Sequence, residues 1–432
     1  MRLGRRSGVY PCNDTRNPAI ASIEIDLTIN IEASTTLMDT TKLTTMHDRM
    51  QWYVDQNIIP HAFSLIMKGT DIVDYRCFGY TDLESKKPLR EDAIFRIFSN
   101  TKIVTSVAAL MLVEQNLLDL DAPISQLLPA FATPRVLING ATSIDQVESA
   151  AAPVTLRHLL SHSAGFSYGF VDPESLIDAH YLSNGLDILT GFDGTLEDMC
   201  DTLATFPLAF QPGAGWRYSL ATDVVARLIE VVSGLSFDAF LKQRIFDPLD
   251  MHDTGFCVTE DKLDRIPAMY VPNDPLDPMA SGLTLLSPVG APNYLTAPKW
   301  LSGGGGLLSS VSDYVRFLQM IINEGQHNGV KLLEPTTVAH MHQNQLAPDI
   351  DVHFPMWNLP ATKFGLGFAV KEAPEEGEPQ SAIGEYHWGG LAGTHSWISP
   401  YAGITGFCGT QVMPAFWHPF SHDFKCMAYA AC

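Results

Sequence analysis

Hydrophobic and polar positions along the chain follow two periods, and the switches between them divide it into segments. Over residues 43–56, Met46, Met50, Trp52 and Tyr53 recur at helical spacing before Pro60. Residues 62–68 and 72–80 are strand-like runs on either side of Gly69-Thr70-Asp71, which predicts a hairpin. After Asp92 the pattern turns helical over residues 102–114 and closes at Asn116 and Asp119. The middle, residues 120–300, reads as helical fragments (154–161, 221–233) and long loops. The Pro- and Asp-rich stretch 271–279 reads as a surface loop. Gly303 to Gly306 break the chain ahead of a helix over 311–323. Strand-like runs return at 394–399 and 403–412, and a last helix covers 419–431.

Strands at both ends with helices between them predict an α+β fold. One antiparallel sheet is built from the two chain ends and flanked by helices, with a helical lobe inserted and a cleft where the lobes meet. Residues 1–43 read as an N-terminal extension and 44–430 as one folded unit. Its α/β lobe draws on 44–98 and 310–430, and its helical lobe on 99–309. No internal repeat appears.

Composition narrows the function. With 432 residues, 46% hydrophobic and 17% charged, a large core is available and wholesale disorder is excluded. Lys plus Arg number 27 against 48 Asp plus Glu, a net charge of -21 that repels phosphate backbones and anionic lipid. Nucleic acid and membrane are therefore not expected partners. No apolar run reaches the roughly 18 residues of a membrane span; the best, 103–113, contains Thr105 and Ser106. Arg2, Arg5 and Arg6 are not followed by an apolar stretch, so a cytoplasmic location is expected. Seven scattered cysteines without a CxxC do not suggest a disulfide framework.

The strongest chemical signal is Phe98-Ser99-Asn100-Thr101-Lys102, the chain's one S-x-x-K, at the start of a predicted helix. Residues three apart share a helix face, so the Ser99 hydroxyl and Lys102 amine can meet. The helix start adds unpaired N–H groups suited to an oxyanion. A capping serine beside a solvated lysine is the plain alternative, but Ile97-Phe98 and Ile103-Val104 put Lys102 beside a buried surface. Two further stretches join it: the tight loop Gln211-Pro212-Gly213-Ala214-Gly215-Trp216-Arg217-Tyr218-Ser219-Leu220, and the Gly-rich run His387-Trp388-Gly389-Gly390-Leu391-Ala392-Gly393-Thr394.

In that order, with the 156–165 block between them, these motifs resemble the serine β-lactamase and penicillin-binding-protein superfamily. More narrowly they resemble the class C β-lactamase-related esterases called family VIII carboxylesterases. The resemblance covers residues 44–430. It implies a β-lactamase/transpeptidase-like fold with Ser99 as nucleophile, Lys102 as activating lysine and Tyr218 as base. It puts Trp388-Gly389-Gly390 where Lys-Thr-Gly stands in β-lactamases, and assigns the oxyanion hole to the N–H groups of Ser99 and Leu391. A tyrosine is a poor base unless a cation favours its phenolate, and a desolvated lysine can itself move the proton. Both routes remain open at this level. His395, close behind the Gly389-Gly390 turn, is the next group to test as base.

Three other motifs compete. Gly165-Phe166-Ser167-Tyr168-Gly169 matches the nucleophile elbow G-x-S-x-G, but a helix-like segment precedes it where a strand is needed, so Ser167 is expected in a loop near the cleft. His158 and His162 stand four apart without the Glu of H-E-x-x-H and read as structural. Gly303 to Gly306 lack the Lys-Ser/Thr of a phosphate loop and read as a turn or cleft wall.

Relative to β-lactamases, Leu220 replaces the asparagine of Tyr-x-Asn, and Trp388 replaces the Lys-Thr-Gly lysine. Both changes trade polar recognition for apolar surface, so Trp388, Gly389, Gly390 and Leu220 are expected to contact substrate. The expectation is a serine carboxylesterase for short-acyl esters, with β-lactamase/D,D-peptidase or acyltransferase action as alternatives on the same residues. The partner is a small-molecule ester, and neither metal nor organic cofactor is called for.

Overall fold

The computed structural model describes residues 38–432 except 173, 187–190, 355–356 and 417. The predicted hairpin forms: β1 (His61–Lys68) and β2 (Asp71–Gly79) pair antiparallel, with His61 opposite Gly79. Gly69, at φ 55°, takes the left-handed turn position where a Cβ would be strained. The C-terminal part supplies β3 (Thr362–Phe364), β4 (Ala369–Lys371), β5 (Tyr386–Gly389), β6 (His395–Ser399) and β7 (Ile404–Gly409). The sheet order is β3-β4-β5-β6-β7-β1-β2, antiparallel throughout, and β7 pairs with β1 so that both chain ends close one sheet. β3 and β4, three residues each, are too short to leave a period-two pattern in the sequence.

Side chains of β1 alternate between two cores, as strand geometry requires. Phe63, Leu65 and Met67 enter the larger one, and Ala62 and Ile66 the smaller. The main helices are α1 (Thr40–Asp55), α2 (Thr101–Glu114), α3 (Leu156–Leu160), α4 (Ala221–Ser233), α5 (Val311–Ile322) and α6 (Pro419–Ala431). α1 and α6 cover the face carrying Ile66, through Met46, Met50 and Phe424. α2 lies in the larger core and is buried continuously from Thr101 to Leu112. Each fully buried Leu or Val there contributes roughly 1.5–3 kcal/mol. This burial makes α2 a rigid base for the residues at its start.

Two boundaries differ from expectation. α1 begins at Thr40 because Asp39 caps it, accepting from the N–H groups of Thr41 and Lys42, and the Asp39 N–H bonds Ala431 O at 2.9 Å. Met38 and Leu43 are buried, so the folded unit starts before residue 44; residues 1–37 of the expected extension lie outside the described residues. The surface loop at 271–279 also begins late, since Met269–Pro272 is a strand paired with Leu283–Ser287. Cys77, Cys200, Cys408, Cys426 and Cys432 are free thiols, while Cys257 is disulfide-bonded. Among the described residues no helix is long and apolar enough to cross a membrane.

Candidate active site

Ser99 sits in a 3-10 turn, Phe98–Asn100, that runs directly into α2. Phe98 has φ 42°, a left-handed conformation that costs a bulky residue roughly 1–3 kcal/mol. Neighbouring hydrogen bonds hold the turn. Asn100 Nδ2 donates to Thr394 Oγ1 at 3.1 Å, and Asn100 Oδ1 accepts from Ser396 Oγ at 3.1 Å. Thr394 Oγ1 donates to Ile97 O at 3.0 Å, and Gly390 N–H donates to Thr394 O at 2.6 Å. The serine turn and the Gly389-Gly390 turn are thereby fixed to one another. A Cβ on Gly390 would collide with the Ile97 carbonyl and the Thr394 hydroxyl, which explains the glycine.

Lys102, one helical turn on, is 2% exposed. Its Nζ lies 3.3 Å from Ser99 Oγ, 2.8 Å from Tyr168 OH and 2.6 Å from Gly304 O. Burial lowers its pKa, and the charge of Asp223 partly opposes that. Asp223 is fully buried in the first turn of α4, with Oδ1 accepting from Trp300 Nε1 at 3.1 Å and Ser302 Oγ at 2.7 Å. Burial raises its pKa, while the Lys102 charge and these hydrogen bonds pull it down. Tyr168, Asp223 and Lys102 converge on Gly304. A Cβ there would lie 2.5 Å from Asp223 Oδ2, 2.7 Å from Tyr168 OH and 3.2 Å from Lys102 Nζ.

Tyr218 enters from the loop before α4. The Lys102 amine stands 4.6 Å from its ring centroid, and Trp388 Nε1 donates to its hydroxyl at 3.3 Å. Burial drives the Tyr218 pKa well above the usual phenol value, and hydrogen bonds with Ser99 and Trp388 pull it back in part. Phe354, Trp388 and His162 ring Tyr218, with centroids 5.5, 5.2 and 4.9 Å away. The structure thus brings Ser99, Lys102, Tyr218, Trp388 and the 389–391 turn together.

Leu220, expected at the substrate, corrects otherwise. It caps α4, is 1% exposed and packs in the larger core, so it presents no surface to the cleft. Trp388 is equally buried, hydrogen-bonded to Tyr218 and packed on Phe364 and Phe416.

The competing motifs resolve in detail. Ser167 Oγ is buried between Asp178 Oδ1 at 2.5 Å and Arg217 Nε at 2.6 Å, and Arg217 also bridges Asp178 at 2.7 Å. This is a satisfied buried network, and Ser167 stands in it beside the residue that does reach Lys102, Tyr168. His158 and His162 do not share a helix face: α3 ends at Leu160 and His162 takes φ 56°. His158 Nδ1 accepts the Thr155 N–H at 3.3 Å, and His162 Nδ1 faces Ser219 Oγ at 3.2 Å. Gly303 and Gly304 turn their carbonyls to Thr105 and Lys102, so this run forms the floor under the amine.

Sequence reasoning missed Tyr168 and Asp223. The available signal for Asp223 was one acidic residue in the run 220–226, which apart from Thr222 is otherwise apolar, where burial demands a partner. Tyr168 carried no local signal.

Three comparisons bear on this geometry. The chain matches the β-lactamase family over residues 46–414. Esterase EstB of Burkholderia gladioli is 33% identical over 348 residues, 78% of this chain and 82% of that one. Lovastatin esterase of Penicillium rubens is 31% identical over 320 residues, 71% of this chain and 76% of that one. Among solved structures, EstCE1, a hydrolase with promiscuous acyltransferase activity, has a TM-score of 0.74 at 26% identity and covers 90% of this chain and 99% of its own.

Proposed function

This chain belongs to the β-lactamase family, and on that premise we propose that it is a serine carboxylesterase cleaving short-acyl esters through an acyl-enzyme on Ser99. One observation carries the reading: a buried amine 3.3 Å from the hydroxyl of a serine that is itself only 8% exposed. A neutral Lys102 keeps two N–H protons. The Gly304 carbonyl can only accept, so it takes one of them, and Tyr168 OH takes the other. The lone pair is then left for the Ser99 proton.

Lys102 is accordingly the first proton acceptor in this scheme, because burial makes its neutral form accessible and the Tyr218 phenolate inaccessible. Tyr218, beside both groups, passes the proton on to the leaving alcohol. Oxygen Oγ of Ser99 bonds the acyl carbon, the ester C–O bond breaks, and water repeats the sequence to release the acid. The N–H groups of Ser99 and Leu391 hold the oxyanion, each such donor contributing about 10²–10³ in rate. Nucleophile, base and donors all come from the chain, so the scheme uses no cofactor.

Apolar surroundings favour esters over charged lactams. Trp388 stands where the β-lactamase motif has an ammonium, Leu220 is turned into the core where that motif has an amide, and the aromatic side chains around Tyr218 make an apolar wall for a short acyl group. Acyl transfer to an alcohol is a second reading, favoured by the likeness to EstCE1. Turnover of p-nitrophenyl esters from two to twelve carbons, beside nitrocefin and with and without added alcohol, tests all three. Fast nitrocefin cleavage with slow ester cleavage would overturn the esterase reading.

A further inference from the structure

A pair of histidines lies on the other face of the W-G-G strand. In the β5–β6 register Gly389 is opposite His395 and His387 opposite Trp397. Trp397 stacks on Tyr429 of α6 at 5.0 Å, so His387 and His395 point toward α6, away from Tyr218. His395 is thereby removed as an alternative base. His395 Nε2 and His387 Nδ1 are hydrogen-bonded at 3.3 Å. The outer nitrogens, His387 Nε2 and His395 Nδ1, are buried without a protein partner among the described residues. Both rings line a cavity of about 210 Å³, with Glu375, Phe416 and Lys425 among its other walls.

Proton counting defines what this pair can bind. Burial holds both rings well below the usual imidazole pKa, and Lys425 adds to this, so both are neutral. Two neutral imidazoles carry two N–H protons on four nitrogens, and their shared hydrogen bond uses one. Whichever tautomer forms, the pair turns one donor and one acceptor outward. A metal ion held by both rings would need two lone pairs and finds one. The pair itself offers an anion a single donor, and the nearby ammonium groups are already committed, Lys425 to Glu378 at 2.5 Å and Glu385 at 3.1 Å and Lys371 to Glu375 at 2.9 Å. A hydroxyl group is donor and acceptor at once.

We propose that this cavity binds a small neutral alcohol whose hydroxyl groups supply the partners His387 and His395 lack. Its volume of about 210 Å³ is several times the about 30 Å³ share of a water molecule. Phe416 provides an apolar wall for the carbon chain and packs on Trp388 at 5.5 Å. Gly389 and Gly390 line the cavity as well, so the alcohol stands beside the turn that leads to Leu391.

Glycerol is the probe. In a full-length Ser99→Ala chain with ¹⁵N-labelled histidine, glycerol should shift the His387 and His395 signals saturably. His387→Phe should weaken that binding about tenfold or more, and His387→Gln, which keeps a donor and an acceptor, should restore part of it. Shifts that rise linearly with glycerol, or equal binding by the folded His387→Phe chain, would overturn the site. The Ser99→Ala experiment decides the site even if ester hydrolysis itself is never observed.

Discussion

The Lys102 amine lies 2.6 Å from the carbonyl oxygen of Gly304, and this contact orients the lysine toward Ser99. A carbonyl can only accept, so one N–H is always turned to it. With Tyr168 at 2.8 Å holding a second direction, Ser99 at 3.3 Å faces the position that is a lone pair when the amine is neutral. Asp223 tunes how often that is so.

The pH dependence follows. Burial lowers the Lys102 pKa to about 7. Below that value the amine is protonated and has no lone pair, so kcat/KM should rise with pH through an inflection near neutrality and then level. Asp223 raises the lysine pKa, so Asp223→Asn should move the inflection to lower pH. Profiles of kcat/KM against pH for both enzymes check this, and an inflection that stays put or moves up in Asp223→Asn would remove Lys102 as the base.

Gly304→Ala should be nearly inactive. The new Cβ would meet Asp223 Oδ2 at 2.5 Å and Tyr168 OH at 2.7 Å, and the amine must shift with them. Displacing a reacting group by about 1 Å can cost about 10²-fold in rate. The expected result is a loss of that order in kcat with a cooperative thermal transition retained, read by calorimetry beside the kinetics.

Ser99→Ala and Ser167→Ala should separate chemistry from architecture. The first should abolish turnover and labelling by a fluorophosphonate probe at unchanged Tm. The second removes a hydroxyl shared by Asp178 and Arg217, which keep their own 2.7 Å bond. It should cost about 1–3 kcal/mol of stability and leave most of the activity. Probe labelling mapped to Ser167 would reverse the assignment.

Tyr218→Phe keeps the ring packing and removes the proton relay, so kcat/KM should fall about 10²–10⁴-fold. Trp388→Phe removes the 3.3 Å hydrogen bond to the Tyr218 hydroxyl and part of the buried indole packed on Phe364 and Phe416, and should cost about tenfold in kcat/KM together with some stability. Activity of Tyr218→Phe above about a tenth of wild type would assign the relay elsewhere.

Much of this protein was legible in its sequence. The hairpin around Gly69, α2, α4, α5 and the closing strands and helix lie in runs of five or more residues whose pattern or apolar length can be read. β3 and β4 were not, because three residues show no period. Leu220 misled for a different reason. Its place two residues after Tyr218 suggests a cleft wall, yet the α4 cap turns it into the core. The G-x-S-x-G motif was rightly set aside as a nucleophile elbow, but its tyrosine, one position on from Ser167, is the residue that reaches the lysine.

The pairing of Ser99 with Lys102 was determined by the sequence itself, because a spacing of three on a helix start is a local property that needs no other part of the chain. So was the sheet assembled from both chain ends. The lysine's charge state was not. Tyr168, Asp223 and Gly304 come from separate segments, and their approach to Lys102 depends on how the helical lobe folds over α2. Only that tertiary closure excludes water from the amine, and in the proposed mechanism it is the exclusion of water that lets an ordinarily cationic lysine act as a base near neutral pH.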